Sequence, residues 1–239
     1  MYEYVSKKEY KPYKEEVEKI ITYAQRIMKT KYNTTFQFKL IGSGQRHLIT
    51  KIKNGNRGYD FDYNLILQKS DLWNNPKRLK QQFMDAFNEA VKNTSYKNCE
   101  DSTSSITIKV VDKDGKKIIR SCDFAIIYYL DEYDNDKGYK YIKNLKNNRY
   151  IFEERKLSKN ADFKLGEILE YEQGWNIIRE EYLKIKNSNN DKNKKSFILY
   201  LESIHNVYNC LKRIEEERNN KKQFRVDSSK ILYGLFQAP

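Results

Sequence analysis

Cysteine and histidine are scarce in this chain of 239 residues, with three of the first and two of the second. Cys99, Cys122 and Cys210 are odd in number, far apart and form no Cys-x-x-Cys pair, which excludes a disulfide framework and points to a reducing compartment. His47 and His205 alone are too few for a zinc site of ordinary composition. Apolar runs are short, and none approaches the roughly 18 residues of a membrane span. The N-terminal MYEYVSKKEYKPYKEE lacks the apolar core of a signal peptide. The expectation is a soluble, cytoplasmic protein with no membrane partner. The GxxxxGK[ST] spacing is also missing, which excludes a Walker A loop.

What the chain does have is positive charge and aromatic surface. Lys and Arg number 46 against 33 Asp and Glu, a formal net charge of +13, and there are 20 Tyr and 11 Phe. A basic protein attracts phosphates, whether on nucleotides, nucleic acid or anionic membranes. The lysines are spread rather evenly, however, as a Lys/Asn/Ile/Tyr-rich coding bias would spread them, so charge alone does not assign a nucleic-acid partner.

Periodicity predicts a helix over about Tyr13–Thr30, where Val17, Ile20, Ile21, Ala24, Ile27 and Met28 recur at helical spacing. TTFQFKLI, Thr34–Ile41, reads as a strand that ends at Gly-Ser-Gly. A second helix begins at Asn75, a candidate N-cap, with Pro76 in its first position. Ser105–Val111 and Lys117–Leu130 flank an Asp-Gly turn and read as an antiparallel hairpin. YKYI, Tyr139–Ile142, reads as a short strand after DEYDNDKG, a stretch better read as a hairpin turn than as a calcium loop. From about Asp162 the pattern is helical only: one long helix with Gly174 as a weak point, a polar linker, and a helix with an apolar seam through Phe197, Leu201, Ile204, Tyr208 and Leu211. KILYGLF at the C-terminus reads as a segment docking back onto that helix, and His205, next to the seam, as partly buried. The class is α+β: a mixed sheet with flanking helices over residues 1–160 and a helical part over 161–239.

The stretch GNRGYDFDYNLIL, Gly55–Leu67, carries two aspartates in an otherwise apolar and aromatic strand. Asp is a poor strand former and costly to bury. With period two, Asp60, Asp62 and Asn64 share one face, while Phe61, Tyr63 and Leu65 take the other. Adjacent same-face residues are about 6–7 Å apart along a strand, so the two carboxylates can converge on one cation. Mg²⁺ suits them: it is hard, takes oxygen ligands and keeps waters for a substrate phosphate. IIRSCDFAIIYY is likewise an apolar strand interrupted by Asp123, with Ser121 on the same face. If the two strands are neighbours, Asp123 completes a cluster able to hold two Mg²⁺ ions about 3.5–4 Å apart. The alternative reading of each aspartate is a charge on a solvated strand face. In LIGSGQRHLIT, Leu40–Thr50, a helix after the glycines would turn backbone N–H groups toward phosphate; Ser43 adds a hydroxyl and Arg46 a charged donor. Ser43 as a helix N-cap and His47 as an exposed loop residue are the simpler readings there.

Strand, Gly42-Ser43, Asp60-Phe61-Asp62 on a strand and a lone Asp123 on a later strand together resemble the polymerase-β-type nucleotidyltransferase superfamily. The resemblance covers roughly residues 34–130. The leading helix and the helical C-terminal half fit its oligoadenylate-synthetase-like and bacterial cyclic-oligonucleotide-synthase branches. It implies transfer of a nucleoside monophosphate from an NTP to an acceptor hydroxyl, with release of pyrophosphate. On that basis Asp60 and Asp62 would bind both metals, and Asp123 would bind the catalytic metal and help deprotonate the acceptor. Gly42 and Ser43 would hold the terminal phosphates. The 16 residues Gly44–Tyr59 make a longer spacer than usual, with KNGNRG read as a loop. The acceptor stays open among a small molecule, RNA, a protein and a second nucleotide. The rival from another class is a non-catalytic nucleotide- or RNA-binding module on the same fold.

Overall fold

The computed structural model describes residues 1–54, 57–131, 137–156, 159–191 and 193–235. In chain order the elements are β1 (Tyr2–Tyr4), α1 (Lys7–Tyr32), β2 (Thr35–Ile41), α2 (Gly42–Gln45), β3 (Thr50–Ile52), β4 (Arg57–Lys69), α3 (Pro76–Ala90), β5 (Glu100–Asp101), β6 (Ile106–Val111), β7 (Ile118–Tyr129), β8 (Tyr139–Asn144), β9 (Tyr150–Arg155), α4 (Lys159–Leu169), α5 (Gly174–Ser188) and α6 (Ser196–Leu235). The chain divides into two compact units, Met1–Leu157 and Ser158–Pro239.

The first unit is built on a seven-stranded mixed sheet in the order β2-β4-β7-β6-β5, with β8 pairing β7 and β9. β4 is antiparallel to β2 and parallel to β7, and β6 and β8 are antiparallel to β7. Alternation fixes which face is dry. Phe61, Tyr63 and Leu65 of β4 and Cys122, Phe124 and Ile126 of β7 are buried, and they join the apolar stripes of α1 and α3 in one core. Phe87 of α3 stacks on Phe124 with ring centroids 4.4 Å apart. The other face of β4 and β7 carries the aspartates.

Several elements differ from the sequence expectation for identifiable reasons. α1 starts at Lys7 rather than Tyr13, because Ser6 caps it by accepting from the Glu9 N–H and Pro12, near the helix start, removes only one helical hydrogen bond. α3 starts as the Asn75-Pro76 pair predicts, the Asn75 side chain accepting from the Arg78 N–H. The short strands β1, β3 and β5 carry too few alternating residues to stand out in the sequence, and β9 ends in the charged run Glu153-Glu154-Arg155, which does not alternate. β4 already includes Arg57 and Gly58, so the KNGNRG segment is strand at its end, while residues 55–56 lie outside the described residues. So do residues 132–136 of DEYDNDKG, whose ends are tied by the Leu130 N–H donating to the Gly138 carbonyl.

In the second unit the predicted single long helix is two, α4 and α5. Gly174 begins α5 where the backbone turns back on itself: a Cβ there would lie 2.0 Å from the Ile168 carbonyl oxygen. Over residues 196–219 of α6 the buried positions are Leu199, Tyr200, Ser203, Ile204 and Val207, rather than the seam predicted from Phe197, which is 54% exposed. Ile204 is common to both; Ser203 is accommodated on the buried face by donating its hydroxyl to the Tyr200 carbonyl. The residues of KILYGLF up to Leu235 continue α6 instead of folding back, and Phe236 lies outside the described residues. His205 is exposed, with Lys164 Nζ 2.8 Å from Nδ1 and Asn209 Nδ2 3.0 Å from Nε2.

Candidate active site

Three strands deliver the candidate residues to one place. The parallel register of β4 and β7 sets Asp62 opposite Asp123 and Asp60 opposite Ser121. The antiparallel register of β2 and β4 sets Ile41 opposite Asp62, so the chain turns at Gly42 beside that carboxylate. Neighbouring strands lie about 4.8 Å apart, which makes Asp62 and Asp123 immediate neighbours.

Gly42 has φ +63°, in the left-handed region that glycine enters without strain, and a Cβ on it would lie 2.6 Å from Asp62 Oδ2. The turn therefore leaves no room for a side chain between its backbone and the carboxylate. α2, which follows, is a single turn of four residues, so its dipole is far smaller than that of the helix the sequence suggests. Ile41 stands at its N-cap position without a side-chain bond, which leaves Ser43 inside the turn rather than capping it. The Ser43 carbonyl accepts from the Leu48 N–H at 2.8 Å, closing the loop. Arg46, a candidate phosphate ligand, donates from Nη1 to the Gly42 carbonyl at 3.1 Å and so buttresses the same turn. His47 is exposed, as its loop position suggests, with Nδ1 2.8 Å from the Tyr10 hydroxyl.

Burial pushes the Asp62 carboxyl up to about 7 from an ordinary 3.8, with the charges of Asp123 and then Asp60 adding to the effect. The Cys122 thiol, on the opposite face of β7, is pushed well up, chiefly by burial. Hydroxyls hold the other two carboxylates. Ser121 Oγ donates to Asp60 Oδ1, and Thr107 Oγ1 donates to Asp123 Oδ1, where Ser105 Oγ also donates at 3.4 Å. Ser121 shares the Asp123 face by strand alternation and was within reach of sequence reasoning. Thr107 and Ser105 were not, because the register of β6 on β7, with its irregularity at Val110–Val111, is not written in the local pattern.

Among the described residues, no group of three or more His, Cys, Asp or Glu side chains is arranged as a metal cage. Asp62 and Asp123 stand side by side, while the exposed Asp60 is engaged by Ser121. The donors themselves suit a hard cation. All are carboxylate oxygens, and the repulsion that Asp123 and Asp60 exert on Asp62, which adds to the effect of burial on its carboxyl, is of the kind a cation among them relieves. The residues fit Mg²⁺ chemically, without being preassembled around it.

The STING-associated CdnE c-di-GMP synthase of Capnocytophaga granulosa superposes with a TM-score of 0.54 at 17% identity, over 84% of this chain and 60% of that one. The chain has a nucleotidyltransferase fold. The GTP-bound form of DncV from Vibrio cholerae gives 0.53 at 13% identity, over 85% of this chain and 52% of that one. The same protein, named a cyclic AMP-GMP synthase and held in complex with the linear intermediate 5' pppA(3',5')pG, gives 0.51 at 13% identity, over 73% and 47%. The chain thus spans 60% of the first structure and about half of the others. It matches no protein-family model and no curated protein. Among the described residues, no helix is long and apolar enough to cross a membrane.

Proposed function

We propose that the chain transfers a nucleoside monophosphate from an NTP to an acceptor hydroxyl, with Mg²⁺ as cofactor. The observation that carries this reading is the register of three strands that brings Asp62, Asp123 and the Gly42 turn together on one sheet face. Asp60, Asp62 and Asp123 would hold the metal, in up to two ions. When bound, Mg²⁺ supplies neutralising charge for the triphosphate and lowers the pKa of a coordinated hydroxyl. The chain's own groups do the rest. Backbone N–H groups of Gly42 and Ser43 would bind the terminal phosphates, in a turn that Arg46 stiffens. The acceptor oxygen forms a bond to the α-phosphorus as the bond to the β-phosphate oxygen breaks. Pyrophosphate leaves with that electron pair, and the hydroxyl proton passes to the Asp123 carboxylate.

The N-terminal residues 1–160 carry this chemistry in the proposal, with 161–239 as a separate helical domain. The acceptor class best supported is a hydroxyl of a second nucleotide, since the similar structures are named as cyclic-dinucleotide synthases. A second reading, a nucleotide-binding module without turnover, draws on the lack of a preassembled metal cage among the described residues. Pyrophosphate release from each of the four NTPs with Mg²⁺ separates the two. Release by wild type and its loss in Asp62→Asn is the expected result. NTP binding without release selects the module, and full activity of Asp62→Asn overturns the metal assignment.

A further inference from the structure

Lys80 is a cation the proposed chemistry does not use, yet it is only 2% exposed. A buried ammonium persists when it is paired and its donors are used. Lys80 Nζ lies 2.6 Å from Asp101 Oδ1 and donates to the Ser102 carbonyl at 2.6 Å. Asp101 also accepts from the Tyr150 hydroxyl at 2.5 Å and from Asn144 Nδ2 at 3.1 Å. These bonds pin the turn between β5 and β6, which the Ser102 N–H closes onto the Ser105 carbonyl at 3.1 Å.

The pinned turn ends at the site. Ser102 Oγ and Thr107 Oγ1 are 2.9 Å apart, and Thr107, directly opposite Asp123 in the β6–β7 register, donates to Asp123 Oδ1. A hydroxyl has one proton. That of Thr107 is committed to the carboxylate, so Ser102 is the donor to Thr107. Ser105, at the other end of the turn, reaches the same oxygen, Oδ1. Two hydroxyls on Oδ1 restrain the carboxylate and leave Oδ2 as the oxygen to offer a ligand.

We propose that Thr107 is a positioning residue that orients Asp123 toward the divalent cation, with its proton directed by Ser102 in the turn that Lys80 anchors. The assignment rests on the nucleotidyltransferase reading above and deepens it. Groups that orient a metal ligand typically change metal affinity or activity by about 10–100-fold when removed.

The test is a Mg²⁺ titration of thermal stability in the presence of the NTP that wild type turns over, run beside pyrophosphate release, for wild type, Thr107→Val, Thr107→Ser and Ser102→Ala. Thr107→Val keeps the shape and removes the hydroxyl. It is expected to raise the half-saturating Mg²⁺ concentration and to lower kcat by about 10-fold or more, with its metal-free Tm near wild type. Thr107→Ser, which keeps the hydroxyl, is expected to titrate like wild type, and Ser102→Ala to shift in the same direction as Thr107→Val but by less. A Thr107→Val protein that titrates like wild type overturns the assignment. So does a Thr107→Ser protein as impaired as Thr107→Val, since the methyl rather than the hydroxyl would then matter. Should Thr107→Val fail to fold, an unshifted Ser102→Ala overturns it alone. A wild type that neither releases pyrophosphate nor responds to Mg²⁺ and any NTP overturns the nucleotidyltransferase reading, and this assignment with it.

Discussion

Gly42 sits against Asp62 so closely that the first carbon of any side chain there would lie 2.6 Å from the carboxylate oxygen Oδ2. The contact follows from the β2–β4 register, which ends with Ile41 opposite Asp62 and sends the chain through a left-handed turn at the next residue. The turn proposed for phosphates and the carboxylate proposed for metal thus lie against one another.

Gly42→Ala is therefore expected to damage both. An L-residue at φ +63° costs about 1–2 kcal/mol in backbone strain, and the new Cβ must displace Asp62 or the turn. Misplacing a reacting group by about 1 Å can cost on the order of 10²-fold in rate. Urea unfolding and pyrophosphate release measure the two effects. Wild-type values in both would mean that the close approach has no part in the site.

The Asp62 carboxyl predicts a pH dependence of stability in the absence of metal. It titrates at about 7 in the folded protein against an ordinary 3.8, so between those values the folded state holds a proton that the unfolded chain has released. Stability from this group is fully present below about pH 4 and is lost as pH rises through about 7. Asp62→Asn removes that slope and is expected to be more stable than wild type above pH 7 in chelator. Thermal unfolding against pH checks it; parallel curves for the two proteins would place Asp62 in water rather than in a desolvated site.

How much of this was legible in the sequence depends on which interactions are local. The Asp60–Asp62 spacing, the dry face of Phe61 and Tyr63 and the Asn75-Pro76 helix start all follow from periods and caps that lie within a few residues. The α+β class follows from their order, and the nucleotidyltransferase fold from the resemblance that Gly42-Ser43, Asp60-Phe61-Asp62 and Asp123 carry. What was not legible depends on register and close approach. Gly174 reads as a tolerable flaw in a long helix until the Ile168 carbonyl is found behind it. Thr107 is one threonine among many until β6 is laid on β7. Arg46 suggests a phosphate ligand by its charge, and only the folded turn reveals its bond to the Gly42 carbonyl.

Arg120 tests the packing that holds β7 in place. It is 8% exposed, with its guanidinium 3.8 Å from the centroid of the Tyr13 ring and bonded to Glu16, Ser95 and the Tyr96 hydroxyl. Arg120→Met removes a buried guanidinium from a Glu16 that is 33% exposed and still reaches water, and is expected to cost about 1–3 kcal/mol, the range for leaving buried hydrogen-bond partners such as the Tyr96 hydroxyl unsatisfied. Arg120→Lys is expected to recover little of it, because an ammonium can neither stack flat on Tyr13 nor reach several acceptors at once. Urea unfolding measures both. A loss under about 1 kcal/mol in Arg120→Met would mean that the contacts are those of an exposed pair.

In the proposed function the aspartates of β4 and β7 hold an NTP through Mg²⁺. The most direct measurement is the thermal shift of wild type and Asp62→Asn with each of the four NTPs, with Mg²⁺ and with chelator. The expected result is a stabilisation of wild type by at least one NTP that requires Mg²⁺ and disappears in Asp62→Asn. A stabilisation that persists in chelator or in Asp62→Asn, or no response to any NTP, would contradict it.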